Sequence, residues 1–164
     1  MDTTVPNPST DTLQVTDDML EKYADTNDSI GYLCRVAFRR FAKALEANTS
    51  KFGVSSGQWR FLRVLWEEDG IMQRELSRRV DMREPTTVVA LKGLEKNGFI
   101  TRKRDEFDKR IIRVYLTPKA KSLREVLQPF VVDVNERAIE GLTEEEVVVL
   151  KKALVLVADN LAEK

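Results

Sequence analysis

The stretch ITRKRDEFDKRIIRVYLTP, residues 100–118, constrains the fold more than any other segment. After Lys109 and Arg110, the residues Ile112, Val114 and Leu116 alternate with Ile111, Arg113 and Tyr115. A period of two is the pattern of a strand with one buried face. Residues Phe99 to Arg104 are also strand-like, and Asp105-Glu106-Phe107-Asp108 lies between the two runs. The segment therefore reads as a β-hairpin with basic arms and an acidic tip. The other periodic segments of the chain repeat every three to four residues. The expected fold is mainly α with one small β-hairpin.

The helical segments carry their own boundaries. Ile30, Leu33, Ala37, Phe41 and Leu45 mark a first helix over roughly 27–48,. Ser55 with Gln58 forms a capping-box start for a second helix, Ser56 to about Glu67. Asp69-Gly70 is a turn, and a short third helix follows from Gln73 to about Val80. Glu84-Pro85 opens a fourth, since proline suits a first helical turn, and Asn97-Gly98 ends it. Thr117-Pro118 starts a long helix in which Pro129 predicts a kink. Gly141 stops it, and Thr143 with Glu146 caps the last helix. There Val147, Leu150, Leu154, Val157 and Leu161 are spaced like a coiled-coil seam. Residues 1–16 are polar and aperiodic, and the reading places a flexible tail over 1–26.

Composition narrows the function. Hydrophobic residues make up 42% of 164, enough for a real core. Without histidine, the chain lacks the commonest general base and the commonest metal ligand,. No catalytic residue, metal or cofactor is expected, and the chain is not read as an enzyme. The single cysteine, Cys34, cannot form an internal disulfide, which suits a cytoplasmic setting,. No apolar run approaches the roughly 20 residues that span a bilayer, so no membrane partner is expected. Net charge is zero, yet residues 73–113 hold 12 Lys and Arg against 7 Asp and Glu, a local +5. The rest of the chain carries −5. Phosphate contact is therefore expected in the middle third.

The stretches QRELSRRV (73–80), EPTTVVALKGLEKNGFITRKRDEFDKR (84–110) and VYLTPKAK (114–121) resemble the MarR-type (multiple antibiotic resistance regulator) winged-helix transcription factors. The wing pattern Asp-x-x-Asp-x-Arg falls on Asp105, Asp108 and Arg110, and Leu116-Thr117 leads into the next helix. The resemblance covers residue 28 to the end. It implies a winged helix-turn-helix over 51–116, with helical dimerisation segments at 27–50 and 117–164. It further implies a homodimer on a palindromic double-stranded DNA operator, most often as a repressor released by a small effector. Arg110 would enter the minor groove, oriented by Asp108, while Asp105 braces the turn.

Helical arithmetic puts Thr87, Leu91 and Leu94 on the core side of the fourth helix. Pro85, Thr86, Val89, Lys92, Gly93 and Lys96 face away, with Val88 near the boundary. Arg74, Arg83, Pro85, Thr86, Val88, Val89, Lys92, Lys96, Arg104, Asp108, Lys109 and Arg110 are the expected DNA-contacting set, with Lys103 a further phosphate contact. Many relatives carry a base-contacting arginine where this chain has Val89, so reading there is apolar or absent.

The aromatic and basic second helix suggests an effector site for an aromatic acid or its thioester, using Tyr32, Cys34, Phe38, Arg39, Trp59 and Arg63. Aromatics at this spacing also build ordinary core. Cys34, with Tyr32 and Arg35 nearby, offers a redox-sensing alternative, although it also falls on the apolar stripe. A winged-helix protein–protein adaptor without DNA binding is the remaining alternative, kept open by the neutral total charge and Val89.

Overall fold

The computed structural model describes residues 15–162 and divides them into two compact units, parting after Arg40. The first unit contains helix α1, Asp17–Lys22, inside the segment read as tail. Thr16 caps it by accepting from the Met19 N–H, and Asp17 and Asp18 sit in its first turn. These are favourable contacts for a helix start, although α1 buries no residue. The remainder of the expected tail, residues 1–14, lies outside the described residues. A 3₁₀ turn over Thr26–Asp28, capped by Asp25, precedes α2, Ile30–Thr49. The expected start near 27 thus shifts to Ile30, with Ser29 Oγ accepting from the Tyr32 N–H.

The second unit is a three-stranded antiparallel sheet wrapped by helices. α3 spans Ser56–Glu67 and opens on the Ser55/Gln58 capping box. Strand β1 (Ile71–Met72), α4 (Gln73–Arg79) and α5 (Glu84–Lys96) follow. Strands β2 (Ile100–Arg104) and β3 (Ile112–Leu116) form the hairpin, and α6 (Pro118–Ala138) and α7 (Glu144–Asn160) complete the chain. The sheet order is β1-β3-β2, with Ile71 opposite Val114 and Ile100 opposite Leu116. α6 runs unbroken through Pro129.

Phe61, Leu62 and Leu65 of α3, Leu76 of α4, Leu91 and Leu94 of α5, and Phe99, Ile100 and Val114 are fully buried or nearly so. Each such side chain stabilises the fold by about 1.5–3 kcal/mol through the water it leaves. This core fixes α4 and α5 against the sheet. Gly70, at φ +80°, lets the chain pass over Tyr115; a Cβ there would lie 2.7 Å from the Tyr115 ring. Asp69 locks the same corner, accepting from the Leu116 N–H at 2.7 Å and pairing with Lys121 at 2.8 Å. α7, by contrast, buries nothing, while Val148, Val149, Leu150, Leu154, Val155 and Leu156 are all exposed.

Candidate nucleic-acid interface

Two helices and a hairpin tip project the basic residues. α4 and α5 are joined through a buried polar pair: Ser77 Oγ and Thr87 Oγ1 lie 2.7 Å apart. Ser77 has one hydroxyl proton, which it donates to the Met82 carbonyl at 2.9 Å. Thr87 must therefore donate to Ser77. Removing the Ser77 hydroxyl would leave the buried Thr87 donor unsatisfied, at a cost of about 1–3 kcal/mol. The turn between the helices passes through Asp81 at φ +51°, a left-handed conformation that Asp tolerates better than most residues.

α5 buries Thr87, Leu91 and Leu94 and exposes Pro85, Thr86, Val89, Lys92 and Lys96. Val88 is half-buried. Val89 is 69% exposed, a branched apolar residue facing water from the middle of the helix. Gly93 corrects the arithmetic: it is half-buried, and a Cβ there would meet Gln58 Nε2 at 3.4 Å. The helix thus passes close to α3 at that point, and Gly93 is taken up by packing. Arg83 is exposed just before α5, and Arg74 on α4 pairs with Glu84 at 3.5 Å, both largely exposed. A cleft of about 910 Å³ lies between α4 and the base of the wing, rimmed by Arg74, Arg78, Arg83 and Arg110.

The wing tip is an ordered turn built by two aspartates. Asp105 Oδ1 accepts from the Phe107 N–H at 3.0 Å and the Asp108 N–H at 3.2 Å. Its Oδ2 takes Arg113 Nε at 2.5 Å, and Arg113 Nη1 donates to the Gly70 carbonyl at 3.1 Å. The Arg113 guanidinium, helped by those two amides, lowers the Asp105 carboxyl to about 2. Asp108 accepts from Arg110 twice: Nε to Oδ1 and Nη2 to Oδ2, each at 3.1 Å. It also accepts from the Arg110 N–H at 2.9 Å. The Arg110 guanidinium holds the Asp108 carboxyl below the usual carboxylate range. The Arg110 side chain is nevertheless 91% exposed. Arg104 and Lys109 are also exposed, and the Lys103 ammonium sits 5.7 Å over the Tyr115 ring.

The expected effector residues are distributed over two helices. On α2, Tyr32 and Cys34 are half-buried, Phe38 and Arg39 are exposed, and the Arg35 guanidinium lies 5.2 Å over the Tyr32 ring. On α3, Arg63 is exposed and half-buried Trp59 meets Trp66 edge-on, with ring centroids 5.3 Å apart. Trp66 also donates its indole N–H to the Ala120 carbonyl at 2.8 Å. Both tryptophans pack on the core cluster.

These features define a winged helix-turn-helix with a cationic tip. Comparison with known proteins agrees. The sequence profile of the MarR family matches residues 54–112. The uncharacterized HTH-type transcriptional regulator YybA of Bacillus subtilis (strain 168) is 31% identical over 108 residues, 66% of this chain and 72% of that protein. TtmR of Methylorubrum extorquens (strain PA1), also an HTH-type transcriptional regulator, is 32% identical over 88 residues. That match spans 54% of this chain but only 45% of TtmR. A MarR-family regulator from Listeria monocytogenes, solved with 26mer DNA, superposes with a TM-score of 0.76 at 27% identity. It covers 81% of this chain and 89% of its own. The chain belongs to the MarR family, whose members matched here are transcriptional regulators rather than enzymes.

The Asp105 carboxyl falls from its ordinary 3.8 to about 2 on folding, so it favours the folded wing when ionised. That contribution is complete above about pH 4 and is lost as pH drops through about 2. Asp105→Asn should loosen the tip already at neutral pH, seen as faster exchange of the Phe107 and Asp108 amides by NMR. Unchanged exchange rates would show that the carboxylate does not organise the turn.

Proposed function

We propose that this chain is a DNA-binding transcriptional regulator that acts as a homodimer, with α5 in the major groove and the wing in the minor groove. The observation that carries the reading is Arg110: its guanidinium is forked on Asp108, aimed by a braced turn, and almost wholly exposed. A narrow minor groove concentrates negative potential and attracts such a cation. Thr86, Lys92 and Lys96 lie on the exposed face of α5 for phosphate or base contact, and Val88 and Val89 offer apolar surface to thymine methyl groups. Arg74, Arg83, Arg104 and Lys109 add phosphate contacts around them. That the Listeria relative was solved with DNA supports DNA binding by a chain of this fold.

One short helix binds DNA weakly, and two copies one DNA turn apart bind well. The second copy is supported by α7, which buries no residue and exposes its valines and leucines among the described residues. Segments 27–50 and 117–164 are the proposed dimerisation region, and 51–116 the DNA-binding part. Repression, with release by an aromatic acid or its thioester, completes the reading. Trp59, Arg63, Tyr32, Cys34, Phe38 and Arg39 are the residues proposed to sense it, in the cytoplasm. The Cys34 thiol is the competing sensor.

The reading is open to direct measurement. In gel shifts against its own upstream region, binding should weaken steeply with salt. Arg110→Ala should cost about tenfold or more, some 1.4 kcal/mol, with circular dichroism unchanged; equal affinity would remove the wing from the interface. Sedimentation should show two chains per particle, and Leu150→Asp with Leu154→Asp should reduce that to one. A wild-type protomer of single-chain mass would end the dimer reading. A thermal-shift panel of aromatic acids and thioesters, followed by tryptophan quenching, should select an effector whose signal depends on Trp59. If instead only an organic hydroperoxide releases DNA, and Cys34→Ser abolishes that release, the effector site is wrong and the thiol is the sensor.

A further inference from the structure

Phe107 is 97% exposed at the wing tip. Its N–H donates to Asp105 Oδ1, a bond that any residue with a backbone N–H could make. The turn takes its shape from Asp105 and Asp108, so the phenyl ring adds nothing to the fold that holds it. A solvated turn favours polar residues, yet this one carries a large aromatic ring, almost wholly exposed, beside the exposed Arg110.

The base beneath it is rigid. The carboxylate of Asp105 takes the amides of Phe107 and Asp108, and Arg113 ties that carboxylate to the Gly70 carbonyl on the far side of the sheet. Three residues on, the exposed Arg110 is held by Asp108. The tip therefore presents an apolar ring and a cation together on one braced turn.

We propose that Phe107 is a minor-groove wedge that sets part of the chain's sequence preference, an inference that rests on the DNA-binding reading above. Apolar side chains driven between base pairs from the minor groove unstack one step and kink the duplex. Pyrimidine–purine steps, TA and CA/TG, yield most easily. Arg110 supplies the attraction that carries the ring in, and the Asp105 brace supplies the stiffness that insertion requires. Preference would then arise at positions flanking those facing α5, where no hydrogen bond reads a base.

The test selects duplexes from a randomised pool with the full wild-type chain, then repeats the selection with Phe107→Ala and Phe107→Leu. The wild type should enrich a TA or CA/TG step at the wing-facing flanks. Phe107→Ala should lose that enrichment and bind the selected duplex about five- to tenfold more weakly, with the salt slope unchanged because no phosphate contact is removed. Phe107→Leu should restore most of both. A 2-aminopurine placed at the enriched step should brighten with wild type and stay dark with Phe107→Ala. If Phe107→Ala keeps wild-type affinity and step preference while Arg110→Ala loses binding, the wedge is overturned and DNA binding stands. A wild-type chain that enriches no duplex and shows no salt-sensitive shift removes the DNA reading itself, and the wedge with it.

Discussion

The contact between Asp105 and Arg113 decides where the wing points. It joins the first residue of the turn to the start of β3, and through the Gly70 carbonyl to the corner that leads into β1. Arg113 is also the register partner of Met72, the last residue before α4. The tip, the sheet and the strand that leads into the helix-turn-helix thus meet at one residue, Arg113. The Arg113 side chain is about one-third exposed, and partly exposed pairs contribute little net stability. Its value is directional: it links the turn to the Gly70 corner, beside the backbone pairing that holds the sheet.

Much of this was legible in the residues, for a physical reason. Caps and turns are made by groups three or four positions apart, so Ser55/Gln58, Thr143/Glu146, Pro85 and Asn97-Gly98 announce the helices they bound. The Asp108–Arg110 fork spans two residues and was expected from the wing pattern of the resembling family. The partners that escaped are distant in sequence. Arg113 reaches back eight residues to Asp105 and 43 to Gly70, and nothing local distinguishes it from a solvated strand arginine. β1 is two residues long, too short to show an alternation; it exists because β3 offers it an edge. Gly93 looked like an outward position by helical arithmetic, and only the fold shows it half-buried with the Gln58 side chain alongside. α1 follows from a Thr16 cap and two acids within a stretch otherwise lacking period.

Charge is arranged by the fold rather than by total count. The excess of Lys and Arg in 73–113 lies on α4, α5 and the hairpin, and several of these cations already have carboxylate partners: Arg78 with Glu75, Arg79 with Glu67 and Glu68, Arg102 with Glu95. Arg102 is held by Glu95 on the flank of α5 and serves packing. Lys92, Lys96, Lys109 and Arg104 stay exposed. The surface offered to an anion is therefore a subset of the basic residues, selected by which acids the helices bring alongside.

The fork on Arg110 has an entropic consequence. A free arginine gives up about 2 kcal/mol of rotamer freedom when it is fixed. Here much of that loss is incurred while the chain folds, since Asp108 holds two guanidinium nitrogens and the backbone amide of the same residue. A docking anion meets a side chain whose direction the turn already favours, and part of the ordering cost has left the binding step.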